Sequence, residues 1–489
     1  MTSAHRNSSS DRSAEAGTVG SPSELIVVTH GAPAPIDEFV MTASRDTEAR
    51  LAQLLPDGTE LVRIFGPEVR VQQSLFGTPD EPTGAQFLNY FYVQGAATGR
   101  VAAELDTLAE RLRADDAVAA AYVKPPAEPP IDPQVVLIRS EEPVPPVTPD
   151  FTTRQGYLDA APAGIAARWA WTQPGGLGTG VRVVDVEGAW RFTHEDLLAN
   201  QGGVIGGTPS PDLGWRDHGT AVAGEISGDV NTFGITGIAP EAGIRAISIF
   251  GPGSATAIRT AADALGPGDI ILLELHRPGP RFDYAGRADQ RGYIAIEWWP
   301  DDWAAVRYAV GRGMIVVGAG GNGGEDLDDP LYATRPADFP DTWVNPFGGG
   351  AGDSGAVLVG AGAPPPGTHG RDHGPGRSRL SFSNYGSRID TQGWGREVTT
   401  TGYGDLQGGA SEDYWYTDTF SGTSSASPIV VGTIASYQGM STAAGARLTP
   451  GQVRTRLRAT GSPQTDAPGR PATQRIGNLP DLQALIGEE

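Results

Sequence analysis

The sequence predicts an α/β fold, in which a large parallel-sheet domain follows a small α+β domain. Three observations carry this expectation. Short, near-continuous apolar runs recur between helical patterns beyond residue 151, as strands buried on both faces of a parallel sheet do. The 489 residues include 68 Gly and 40 Pro with 39% hydrophobic content, a composition that suits a globular α/β core with many tight loops rather than a coiled coil or helix bundle. A proline-rich acidic stretch at 125–150 separates two differently patterned regions, and so marks a linker.

Residues 1–23 are polar and Ser-rich and are expected to form a disordered tail. In the small domain, 24–124, strand patterns at 25–30, 60–64, 87–94 and 117–123 surround helices near 43–55 and at 100–114. In the second helix Val101, Leu105, Leu108 and Leu112 recur at helical spacing. The linker is interrupted only by the apolar run 135–138. In the large domain, 151–487, strands are expected at 181–186, 244–250, 269–275, 314–318 and 356–360. Helices are expected between them at 219–227, 257–265 and 303–312, and later at 425–438 and 452–457.

Charge and composition exclude several chemistries. A formal charge of -22 argues against a nucleic-acid partner, which needs clustered Lys and Arg. The chain has no cysteine, which removes thiol nucleophiles, disulfides and thiolate metal sites, and its one lysine, Lys124, leaves almost no material for a Ser-Lys dyad or Schiff base. No apolar run reaches the length of a membrane span, and residues 1–22 lack the apolar segment of a secretory signal, so a cytoplasmic location is expected.

Open α/β sheets carry their chemistry at the carboxyl ends of strands and at the helix N-termini beside them. Asp185 ends the run 180–185, where a partly desolvated acid accepts the Nδ1 proton of a histidine and fixes its tautomer. His218, in Asp217-His218-Gly219-Thr220, opens a helix of small residues and suits a general base. Ser424, in Ser421-Gly422-Thr423-Ser424-Ser425-Ala426-Ser427-Pro428, opens an apolar helix. Its hydroxyl is then a nucleophile and its free N–H an anion donor. Asn322, in Gly320-Gly321-Asn322-Gly323-Gly324, follows an apolar strand, and its amide is a second oxyanion donor.

The order Asp, His, Asn, Ser and the four local motifs resemble the subtilisin-like serine peptidases, over roughly residues 151–486. Gly237-Ile238-Ala239-Pro240 and Ser381-Phe382-Ser383-Asn384-Tyr385-Gly386 extend the likeness. The resemblance implies a serine endopeptidase acting on peptides or proteins, with an Asp185-His218-Ser424 triad, Asn322 as oxyanion donor, and substrate contacts at Leu273, Glu274, Leu275, Gly320 and Gly321. No cofactor is expected, structural calcium apart. The resemblance also gives the 24–124 domain the size and order of a propeptide, although a permanent accessory domain fits the same pattern. A catalytically idle binding protein of this fold and a non-peptidase serine hydrolase are the rival readings.

The chain departs from the family in two places. Val186-Glu187-Gly188 follows Asp185 where the family has Ser or Thr and then Gly, so the support of the acid must differ, with Asp196 a weaker substitute. Glu274-Leu275-His276 stands where Ser-Leu-Gly is common, and Glu274 is expected to favour a basic residue before the cut. Other motifs read as structure. Gly352-Asp353-Ser354-Gly355 is a turn, His194-Glu195-Asp196-Leu197-Leu198 lacks the second histidine of a zinc helix, and His276, His369 and His373 read as isolated surface residues. The cluster Glu325, Asp326, Asp328 and Asp329 offers oxygen ligands for calcium but no ordered ligand spacing, so a solvated loop is expected rather than a metal site.

Overall fold

The computed structural model describes residues 20–30, 46–65, 89–131, 139–140, 145 and 147–487. The small domain contains β1 (Glu24–Thr29), β2 (Glu60–Arg63), β3 (Asn89–Gln94), α1 (Ala102–Arg113) and β4 (Val118–Lys124), with a further helix at 46–52. The strands form an antiparallel sheet in the order β2-β3-β1-β4. The beginnings of the first expected helix and of the third expected strand, and the run 135–138, lie outside the described residues.

All six residues of β1 are buried, because the strand serves two cores. Its period of two sends Leu25 and Val27 toward α1, where they meet Leu105, Leu108 and Leu112. Ile26 and Val28 point the other way and join Ala120 and Tyr122 in the core of the large domain. The small sheet therefore packs against α1 on one face and against the large domain on the other.

The large domain contains, in chain order, β5 (Arg182–Glu187), β6 (Gln201–Gly206), α2 (Leu213–Ser227), β7 (Gly243–Ser248), α3 (Ser254–Ala264), β8 (Ile270–Leu273), β9 (His276–Pro278), β10 (Tyr293–Ala295) and α4 (Pro300–Gly311). It continues with β11 (Ile315–Ala319), β12 (Val357–Gly362), β13 (Thr391–Trp394), β14 (Val398–Thr401), β15 (Tyr416–Phe420), α5 (Thr423–Ala443) and α6 (Pro450–Ala459). Seven strands make one parallel sheet in the order β13-β12-β11-β8-β5-β7-β6.

Alternate residues feed opposite faces, which is why these strands read as unbroken apolar runs. Val183, Ile270, Leu272, Ile315 and Val317 join α2 and α5 in one core. Val184, Ile271, Leu273 and Val316 join α3 and α4 in the other. The edge strands β6 and β13 lack such runs; β6 carries Gly202 and Gly203 and pairs in a shifted register.

Polar groups also cross between the domains. Lys124 Nζ lies 2.5 Å from Asp301 Oδ2, 3.0 Å from Glu24 Oε2 and 3.1 Å from Asp302 Oδ1, and donates to Ser254 Oγ at 2.9 Å. Arg277 pairs with Glu24 and donates to the Pro125 carbonyl. The single lysine of the chain is thus the fully buried centre of the interface.

Candidate active site

The carboxyl end of β5 places Asp185 and Glu187 two residues apart, on the same face of the sheet. This is the face covered by α2, capped at its start by Asp212, whose side chain accepts from the Trp215 N–H. Two glycines bring the helix close. A Cβ at Gly188 would stand 2.3 Å from the Trp215 ring, and one at Gly219 would stand 2.3 Å from the Ala189 carbonyl oxygen. The helix starts at Leu213 rather than at His218, so His218 sits in its second turn.

At that position the imidazole meets Glu187, not Asp185. His218 Nδ1 lies 2.6 Å from Glu187 Oε2, both side chains being fully buried. Asp185 Oδ2 instead accepts from Trp190 Nε1 at 2.7 Å. The two acids also face each other. Burial pushes both well above the ordinary carboxyl range; their mutual interaction raises Asp185 further and lowers Glu187. Glu187, the acid in contact with the imidazole, is the one placed to fix its tautomer. Burial pulls His218 down to about 3, so its imidazole rests neutral. Asp196 is committed elsewhere, accepting from the Ile235 N–H at 2.8 Å and Tyr416 OH at 2.9 Å.

Helix α5 starts at Thr423, after Gly422 in a φ of 96° that favours glycine. Ser424 is its second residue, so its N–H has no intrahelical acceptor. That N–H donates to the Pro130 carbonyl at 3.4 Å. Ser424 Oγ and His218 Nε2 are buried and have no hydrogen-bond partner among the described residues. Asn322 lies against the same helix end. Its Oδ1 accepts from the Thr423 N–H and from Thr423 Oγ1, each at 3.0 Å, and its Nδ2 donates to Gln290 Oε1 at 3.3 Å. Gly321 donates its N–H to Thr423 Oγ1 at 3.2 Å, and a Cβ at Gly320 would stand 2.6 Å from the Val359 carbonyl oxygen. These glycines seat the Asn322 loop.

Glu274 does not face the open cleft. It is fully buried, and burial, then Asp185 and Glu187, push its carboxyl well above the ordinary range against the nearby Ser427 and Ser424 hydroxyls. Its full burial, where the sequence placed it to meet a basic substrate residue, runs against that expectation. Leu273 and Leu275 have their side chains in the core. His276 is not at the surface either: it is fully buried, and its Nδ1 accepts from the Asn322 N–H at 3.3 Å. His373 is not isolated, because its Nε2 lies 2.8 Å from Glu397 Oε1. His369 contacts the carbonyls of Asp418 and Arg154. The carboxylates of Glu325 and Asp329 are taken by Arg281, and Asp328 by Ser387. Ser354 donates to Glu297 at 2.6 Å.

Sequence reasoning missed Glu187, Trp190, Gln290, Tyr293 and His276 as parts of the site. Glu187 carried a signal, the strand alternation that aligns it with Asp185, and so did His276, in the Glu274-Leu275-His276 departure from the family. The others come from loops and short strands with no motif.

A seven-stranded parallel sheet with these groups at its carboxyl edge has the subtilisin-like α/β fold, and the small antiparallel domain is consistent with a propeptide-like unit. The chain belongs to the subtilase family, whose model matches residues 199–477, more than half of its length. The matched region holds His218, Asn322 and Ser424 but begins after the two acids of β5. Subtilisin BL of Lederbergia lenta is 27% identical over 264 residues, 53% of this chain and 76% of that protein. Subtilisin E of Bacillus subtilis (strain 168) is 26% identical over 287 residues, 57% of this chain and 61% of that protein. Fervidolysin of Fervidobacterium pennivorans, a keratinolytic enzyme related to subtilisin, superposes with a TM-score of 0.54 at 16% identity. The match covers 96% of this chain and 62% of the fervidolysin chain.

Proposed function

We propose that the chain is a serine endopeptidase with Ser424 as nucleophile and His218 as general base. The observation that carries this reading is the Pro130 carbonyl on the Ser424 N–H: a peptide carbonyl already rests on the donor that a tetrahedral oxyanion would use. His218 takes the Ser424 proton on Nε2 while its Nδ1–H donates to Glu187, whose carboxylate fixes the tautomer and stabilises the imidazolium. Asp185, tied to Trp190 Nε1 two residues before Glu187 on the same strand, is a positioning residue. Asn322 supplies the second oxyanion donor when its Nδ2 leaves Gln290. The small domain acts as a propeptide that delivers residues 125–131 into the cleft.

The test is a fluorophosphonate probe together with casein hydrolysis. Both are expected for the native chain once the 125–131 segment is cut or displaced, and both are expected to vanish in Ser424→Ala. Labelling without cleavage of casein or any peptide would move the chain to the non-peptidase hydrolases, and a folded chain that never labels would be an idle binding protein. Asn322→Ala is expected to lower kcat by about 10²- to 10³-fold. Because Asn322 Oδ1 also caps the start of α5, stability should fall too, by about 1 kcal/mol, read from denaturant unfolding.

A further inference from the structure

We propose that this cleft is built for a proline before the cut and that its own first substrate is the Pro130–Ile131 bond. The proposal rests on the serine-peptidase reading above and names the substrate class of that site. Its starting point is the path of the chain after β4. Glu128 pairs with His276 in both directions, each N–H donating to the other's carbonyl at 3.1 Å, which is one antiparallel bridge. Two residues on, the Pro130 carbonyl reaches the Ser424 N–H, with Pro129 and Pro130 both buried. A Cβ at Gly422 would stand 2.0 Å from the Pro130 oxygen and 3.1 Å from Asn322 Nδ2, so glycine there leaves room for this carbonyl.

The backbone bends at Pro130. The Ile131 N–H donates to the Pro129 carbonyl at 2.9 Å, a three-residue turn whose central residue needs a φ of about -75°. Proline locks φ near that value, at about -65°. The same Pro129 carbonyl accepts from Gln290 Nε2 at 3.2 Å, and Gln290 holds a strained φ of 52° while its Oε1 takes the Asn322 amide. Tyr293 OH donates to Glu128 Oε1 at 2.9 Å. The chain is also tied down beyond the bend: Arg139 pairs with Asp217 at 3.0 Å, next to His218, and lies over the Trp415 ring, while the Ser140 N–H donates to the Gly404 carbonyl at 2.8 Å. Residues 128–130 and 139–140 are thus each held against the walls of the site.

In the cleavage step Ser424 Oγ bonds to the Pro130 carbonyl carbon and its proton passes to His218. The bond to Ile131 nitrogen then breaks, and that nitrogen takes the proton and leaves as a new amino terminus. Water attacks the Pro130 ester, its proton passing through His218 to Ser424 Oγ, and a Pro130 carboxylate is released.

The experiment uses the full chain and its Ser424→Ala variant, followed by intact mass and amino-terminal sequencing. A Ser424-dependent product beginning at Ile131 is expected. The processed enzyme is then given the peptides Ala-Glu-Pro-Xaa-Ile-Asp with Xaa as Pro, Ala, Phe or Arg. Proline should exceed alanine by about tenfold in kcat/KM, because its φ is already set and its larger ring is buried. A native chain left whole, a cut at another bond, or faster cleavage after Ala, Phe or Arg would overturn the proposal. Casein hydrolysis that disappears in Ser424→Ala keeps the peptidase reading separate from each of those failures.

Discussion

Glu187→Gln is expected to lower kcat by about 10⁴-fold, the cost of replacing the carboxylate that orients a catalytic histidine, whereas Asp185→Asn should stay within about tenfold of the native enzyme. The contrast follows from hydrogen-bond bookkeeping at the end of β5. Glu187 must remain an acceptor at His218 Nδ1, and an amide there both removes the charge that stabilises the imidazolium and can present the wrong group to the ring. Asp185 accepts from Trp190 Nε1 rather than meeting the ring, and an asparagine oxygen accepts in the same place. Steady-state kinetics on both variants, with circular dichroism to verify folding, decide the matter. An inactive Asp185→Asn beside a near-native Glu187→Gln would return the orienting role to Asp185.

This reversal also marks the limit of what the sequence could reveal. The buried strands were legible because two-sided burial writes an unbroken apolar run, and His218, Asn322 and Ser424 because each sits in a glycine-framed or helix-starting motif. Which acid meets His218 was not legible. Asp185 and Glu187 share one face, and the choice between them depends on where α2 stands along β5, a tertiary distance set by contacts such as Gly188 against Trp215. The linker stretch was not legible for a related reason. Composition marked 125–150 as a linker, yet the Pro130 carbonyl accepts from the Ser424 N–H and the Pro129 carbonyl from Gln290, contacts remote in sequence. His276 looked isolated because its partners, Glu128 and Asn322, are remote in sequence.

The buried interface leads to the second large effect. Lys124→Met is expected to destabilise the native chain by about 3–5 kcal/mol, because removing one member of a buried ion network leaves its counter-charges in a medium that solvates them poorly. Glu24 keeps Arg277, but Asp301 and Asp302 have no second cation within salt-bridge distance among the described residues. Burial alone would pull Lys124 below its ordinary value; Asp301, Asp302 and Glu24 outweigh it and hold the ammonium charged. The loss should therefore be largely repaired by neutralising those partners. The triple variant Lys124→Met/Asp301→Asn/Asp302→Asn is expected to regain most of the stability, since a buried network replaced as a whole often costs little. Denaturant unfolding measures both, and limited proteolysis shows whether the small sheet leaves the large domain first. If Lys124→Met unfolds like the native chain, the ammonium is not what joins the two domains, and the Arg277–Glu24 pair with the apolar contacts of Ile26, Val28 and Tyr122 carries the interface.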